Sequence, residues 1–206
     1  MNRYRILSYH AQLSLNPHNW AAMIGGLLIM AKDNWVAHAA GHMGVLDTYT
    51  NTVYEAEAKG LVKRDLTSDI EDYDGAIYSF SFNPPLTNDA EARIGSWLEA
   101  HVGAPYNYLL LAEDAIITVA RFLSYVAANP LVNFISHANP VDPQAGHAFV
   151  CYQVDANAIN EAHRPGMRVD PTTFGPLDVW KFVDQGLMVF DGQLTLSQPP
   201  VEAPPE

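Results

Sequence analysis

The chain has 206 residues, a formal net charge of −12 and a hydrophobic fraction of 49%. That length suits one domain with a sizeable core, and that apolar fraction excludes global disorder. The acidic balance argues against a non-specific nucleic-acid binder or a polybasic membrane anchor, both of which need a basic face.

Met1-Asn2-Arg3-Tyr4-Arg5 carries the charge of a secretory signal, but His10, Gln12, Asn16 and His18 interrupt the apolar core such a signal requires. Trp20 to Ala31 is apolar for only about a dozen residues, where a membrane span needs roughly twenty. It reads as buried structure, with Gly26–Met30 a strand or short helix. No stable membrane insertion is expected, and a cytoplasmic location, with phage or host-lysis delivery as the other route. A single cysteine fits a reducing compartment.

Met43–Asp47 and Thr52–Ala56 read as strands, and the turn-like Thr48-Tyr49-Thr50-Asn51 between them predicts a hairpin. Asp74-Gly75 marks a turn before a strand over Ala76–Phe82, which Asn83-Pro84-Pro85 ends. The period then becomes helical. Asn88 with Glu91 makes a start; Ile94, Trp97, Leu98 and His101 follow at helical spacing; Gly103 and Pro105 break the helix. Leu109–Ala128 predicts a second helix, ended by Asn129-Pro130. A third opens at Cys151, with Val154, Ala158, Ile159 and Ala162 as its apolar face and Pro165-Gly166 as its end. Leu187–Phe190 and Leu194-Thr195 read as short strands. Strands, then helices, then strands predict an α+β domain over residues 1–196. Residues 197–206, with four prolines, read as a disordered tail.

Cys151 is the sole cysteine, so it forms no internal disulfide and no cysteine-rich metal site. It is either a small buried hydrophobe or a reactive thiol. Its predicted place at a helix N-terminus favours thiolate, because the dipole and free backbone N–H groups there stabilise negative charge. A base to activate it should be a histidine. His42, opening an apolar strand, is best placed. Glu55, at the end of the next predicted strand, can orient the imidazole across the hairpin. Glu57 shares its face by period two, where the strand pattern is ending.

Four local patterns, with a weaker fifth after them, carry a resemblance. Gly41-His42-Met43-Gly44-Val45-Leu46 is similar to a Ser-His-Val-Gly-Ile strand. Val53-Tyr54-Glu55-Ala56 with Gly60-Leu61-Val62 resembles Val-Ile-Glu-Ala and Gly-Val segments. Val102-Gly103-Ala104-Pro105-Tyr106-Asn107 resembles a Gly-Lys-Pro-Tyr-Asp turn. Phe149-Val150-Cys151 resembles an aromatic-X-Cys-Ser-Glu-Leu nucleophile segment, and Gly175-Pro176-Leu177-Asp178 a Thr-Pro-Gly-Asp-Leu segment. In this order they resemble the circularly permuted NlpC-type papain-like cysteine peptidases and amidases. Gly41 in place of serine, and Tyr152-Gln153 in place of Ser-Glu, are departures.

The resemblance implies a permuted papain-like fold, an antiparallel sheet with the nucleophile helix packed against it. It implies Cys151 as nucleophile, His42 as base and Glu55 as orienter, no cofactor and no metal. The expected activity is hydrolysis of a peptide, isopeptide, cell-wall peptide or other acyl-amide bond through an acyl-enzyme. An acyltransferase using the same thioester, or a non-catalytic binding domain, are the alternatives.

Other signals compete less well. His38 and His42 have a metal-sharing helical spacing, but the zincin glutamate is missing and Gly41 disfavours a helix. His101 suits a helix C-terminus, and His147 reads as a solvent-facing loop residue. No Gly-x-Ser-x-Gly elbow, Gly-x-Gly-x-x-Gly or Walker loop is present. Trp20, Trp35, Trp97 and Trp180 read as core or cleft wall, as does Tyr106.

Overall fold

The structure is a computed structural model that describes residues 2–11, 42–57, 59–73, 75–107 and 150–195. Gly26–Met30, the Leu109–Ala128 helix, His38, His147, Trp20, Trp35, Asp74 and the tail 197–206 lie outside the described residues.

Six strands, β1 (Tyr4–Ala11), β2 (His42–Asp47), β3 (Thr52–Glu57), β4 (Gly60–Asp65), β5 (Gly75–Phe82) and β6 (Met188–Gln193), form one antiparallel sheet in the order β4-β3-β2-β1-β5-β6. Four helices are described: α1 (Leu66–Asp72), α2 (Asn88–His101), α3 (Cys151–Glu161) and α4 (Pro176–Asp184). The protein is α+β.

Side-chain alternation gives the sheet two apolar faces. Ile6, Met43, Val45, Tyr54 and Phe80 pack with α2, α3 and α4 in the main core. Leu7, Tyr9, Leu46, Val53 and Ile77 pack on the other face with Leu66 and Ile70 of α1 and with Tyr73. β1 is central, with adjacent Ile6 and Leu7 buried on opposite faces. It therefore lacks the polar alternation that marks a half-buried strand, and the sequence reading passed over it.

The hairpin β2–β3 forms as expected, with Leu46 opposite Val53 and Asp47 opposite Thr52. α2 starts at Asn88 as expected. Thr87 is the N-cap, its Oγ1 accepting from the Ala90 amide at 3.3 Å. Glu91 reaches away to accept from the Arg3 amide at 2.9 Å. His101 closes α2, its Nδ1 donating to the Trp97 carbonyl at 2.7 Å.

The two expected short strands near the end are one strand, Met188–Gln193. Leu187 is excluded because its amide closes the end of α4 onto the Phe182 carbonyl at 2.8 Å, past Gly186 at φ +70°. Leu194 donates once to Ile77 but is not in a strand.

Candidate active site

Cys151 is the first residue of α3. Val150 precedes it in extended conformation, and its amide donates to Gln153 Oε1 at 3.1 Å while the Gln153 amide donates back to the Val150 carbonyl at 3.0 Å. Gln153, a departure in the sequence comparison, thus fixes the helix entry by a reciprocal cap. α3 packs on β2 and β3 and against α2.

His42 is the first residue of β2, and Glu55 lies on the neighbouring β3. The His42 Nε2 to Glu55 Oε2 distance is 2.6 Å. Gly44 makes room for this diagonal reach, since a Cβ there would lie 3.4 Å from Glu55 Cβ and 3.3 Å from Val53 Cγ1. With Nε2 held by Glu55, Nδ1 is the ring nitrogen free for the thiol. The thiol comes from the main-core face and the carboxylate from the other; they meet at His42, which hydrogen-bonds both side chains.

Burial opposes charge at each member of this set, and their mutual contacts prevail. Burial would lower His42, but hydrogen bonds to Cys151 and Glu55 hold it well above the ordinary histidine range. Burial would raise the Cys151 thiol, but His42 and the backbone amides of Met43 and Tyr152 hold it below the ordinary thiol range. Burial would raise Glu55, but His42 and Arg64 hold it low. The contacts thus act toward thiolate, imidazolium and carboxylate, against the neutral forms that burial favours.

A cavity of about 180 Å³ opens on the far side of His42, lined by Tyr9, Glu55, Arg64, Asp69 and Tyr73 among others. Arg64 is its hub. It donates to Glu57 Oε1 at 3.1 Å and Asp72 Oδ2 at 2.5 Å, and lies 3.9 Å from Glu55 Oε1 and 3.8 Å from Asp69 Oδ1. Asp69 accepts from the Tyr9 hydroxyl. Burial, and then the Glu55 charge, push Asp69 up to about 6.

The structure therefore brings Cys151, His42 and Glu55 together. Glu57, the weaker candidate for the orienting carboxylate, is bound to Arg64. Tyr106 and Trp97 are half-buried against the main core. Among the described residues, no group of three or more His, Cys, Asp or Glu side chains is arranged to hold a metal. No described helix is long and apolar enough to cross a membrane.

Sequence reasoning missed Arg64, Asp69 and Tyr9, which sit on the overlooked β4, α1 and β1. It also missed Asp155 on α3. That residue had a legible signal, a carboxylate four residues after the cysteine on a face otherwise apolar.

No family model matches the chain, and no curated protein matches it. Among solved structures it is similar to the metalloprotein yiiX of Escherichia coli O157:H7 (DUF1105), at 12% identity and a TM-score of 0.43, covering 94% of this chain and 97% of that one. The resemblance to the NlpC-type peptidases is corrected accordingly. No model of that family matches the chain. The physical reason lies in the motifs, which are short pieces of strand, turn and helix start. The Gly60 and Gly103 segments illustrate this. The Leu61 amide donates to the Ala104 carbonyl and the Gly103 amide to the Leu61 carbonyl, each at 2.8 Å, and a Cβ on Gly60 would lie 2.2 Å from the Ala104 oxygen. Close backbone pairing demands glycine there whatever the ancestry.

Proposed function

We propose that the protein is a thiol-dependent hydrolase that cleaves an amide bond, of the peptide, isopeptide or cell-wall peptide class, through an acyl-enzyme. The observation that carries this reading is the run of contacts from Cys151 at the start of α3, through His42, to Glu55 at 2.6 Å. A cysteine that merely fills a core has no need of an imidazole fixed by a buried carboxylate.

The Cys151 thiolate attacks the acyl carbonyl, and the backbone N–H of Cys151, at the start of α3, receives the oxyanion. His42 protonates the leaving amine. It then takes a proton from water, which hydrolyses the thioester and restores the thiolate. Glu55 holds the ring through Nε2 so that Nδ1 performs both transfers. A strand histidine preceding a helix cysteine is also the order of a permuted papain-like fold.

The test is alkylation of the single thiol by iodoacetamide across pH, with activity screened on peptide, isopeptide and acyl-amide substrates. The expected midpoint lies below the ordinary thiol value of about 8.5, and Cys151→Ala abolishes turnover. An ordinary midpoint, or full activity in folded Cys151→Ala, overturns the assignment.

A further inference from the structure

Lysine and arginine are scarce in this chain, 11 against 23 aspartates and glutamates, so each has carboxylates to spare. Arg3, Arg5, Lys63, Arg64 and Lys181 each form an ion pair. Among the described residues Lys59, Arg93, Arg164 and Arg168 form none, and the three arginines of that set stand round one cavity. Arg164 and Arg168 line it with His163, a volume of about 620 Å³ beyond the end of α3. Arg93 of α2 reaches its edge, Nε donating to the Glu161 carbonyl at 3.0 Å. Glu161 is the one carboxylate on the lining among the described residues, so the lining keeps a net positive charge.

The loop that carries these cations is fixed at several points. Asn160 clasps Val169, its Nδ2 donating to the Val169 carbonyl and its Oδ1 accepting from the Val169 amide, each at 2.9 Å. Between them Met167 is buried in the main core and Gly166 turns the chain at φ +80°. Arg164 is pinned from outside the loop. Its Nη2 donates to the Pro84 and Pro85 carbonyls, and its guanidinium lies 5.8 Å from the Phe82 ring centre. Nε and Nη1 of Arg164 have no partner among the described residues. Burial pushes this guanidinium below the ordinary arginine range, with no carboxylate to offset it. Arg168 and His163 are exposed. The negative end of α3 opposes an anion here, but its last carbonyls are already occupied. Arg93 holds that of Glu161, the His163 amide that of Asn160 at 3.0 Å, and the Ala162 amide those of Ala158 and Ile159 at 3.2 Å. Two full guanidinium charges outweigh what remains of roughly half a charge.

We propose that this cavity, lined by His163, Arg164 and Arg168, binds the phosphate group of a small molecule. Guanidinium forks match the paired oxygens of a phosphate, and a phosphate has oxygens enough to meet more than one fork at once, where a carboxylate has two oxygens and a single charge. The volume exceeds that of an ion and suits a small organic ligand carrying the phosphate. An extended polyanion or an anionic membrane is disfavoured by the net charge of −12 on the rest of the molecule. Because the loop is already held in place, little ordering opposes binding. The proposal is independent of the hydrolase reading. Cys151 is the first residue of α3 and Glu161 its last, about 15 Å apart at 1.5 Å per residue.

The experiment titrates full-length wild type, Arg168→Gln and Lys181→Gln with inorganic phosphate at low ionic strength, followed by phosphorus-31 NMR. Arg168 is exposed and makes no described contact, so its replacement leaves the fold intact. Lys181 is the control of equal charge, paired with Asp178 at 2.6 Å on α4. Wild type is expected to bind with a Kd of about 1 mM or tighter. Arg168→Gln weakens binding roughly tenfold, the size of one hydrogen bond between charged groups, and Lys181→Gln leaves it unchanged. Absence of binding up to about 10 mM phosphate overturns the proposal, as does an equal loss in the two variants, which would mean a diffuse charge effect. Sedimentation with phosphatidic-acid vesicles, in a protein that does not bind free phosphate, overturns it in favour of a membrane surface.

Discussion

At Glu55, burial and charge act against each other on a single side chain that is 3% exposed. Its Oε2 meets His42 at 2.6 Å and its Oε1 lies 3.9 Å from Arg64 Nε. Glu55→Gln keeps the shape and removes the charge that holds the imidazole cationic. His42 then falls and the Cys151 thiol rises, because the thiolate loses its counter-ion. The expected outcome is an alkylation midpoint about one to two pH units higher, from the size of shift one close charge causes. The stability effect has a definite sign. The folded-state acidity of Glu55 lies below its ordinary value, so its contribution is present above about 4.3 and is lost as pH falls through the folded value. Urea unfolding should find Glu55→Gln less stable by roughly 1–3 kcal/mol at pH 7, with the gap closing in acid. A gap that persists in acid would point to a packing defect.

Among elements, those that carry the site were the most legible. The β2–β3 hairpin announced itself by turn composition and apolar runs, and α3 by Val154, Ala158, Ile159 and Ala162. The elements that support it were not legible, each for a physical reason. β1 is buried on both faces. β4 presents Lys63 and Asp65 outward and has little apolar pattern left after Leu61 and Val62. α1 is only 7 residues long, and is fixed by Asp65, whose Oδ1 accepts from the Thr67 and Ser68 amides at 2.9 and 3.3 Å. These overlooked elements bring Arg64, Asp69 and Tyr9 behind His42. Arg64→Met tests their role, since it leaves buried Glu55 and Asp69 without their cation. The expected loss is about 1–3 kcal/mol at pH 7, partner exposure at Glu57 and Asp72 limiting it. Asp69, pushed up to about 6, disfavours the folded state as pH rises from its ordinary value through about 6. The Arg64→Met deficit should therefore shrink between pH 7 and pH 5, as Asp69 takes up its proton. A chemical-denaturation midpoint at each pH measures this, and a deficit independent of pH would mean that Arg64 acts through its aliphatic stem.

For the molecule as a whole, the sheet separates two chemistries and the site joins them at one strand end. The thiol and its helix belong to the main core, while the carboxylates and Arg64 belong to the smaller core under α1. Sequence periodicity cannot show this meeting, because it depends on which strand neighbours which. The sheet order sets β2 between β1 and β3, so that Tyr9, His42 and Glu55 fall together. If this frame positions the thiol only locally, a defect deep in the main core should weaken the fold and spare the chemistry. Ile159 is 0% exposed on α3, two helical turns beyond Cys151, about 12 Å along the axis at 1.5 Å per residue. Ile159→Ala should cost about 2–5 kcal/mol through the cavity it leaves, lowering the thermal midpoint by roughly 5–15 °C for a chain of this size. At that separation the two sites are independent, so below the unfolding transition the alkylation midpoint should equal that of wild type. A raised midpoint in the folded variant would show that docking of the entire helix, not its first turn and His42 alone, sets the thiol's charge.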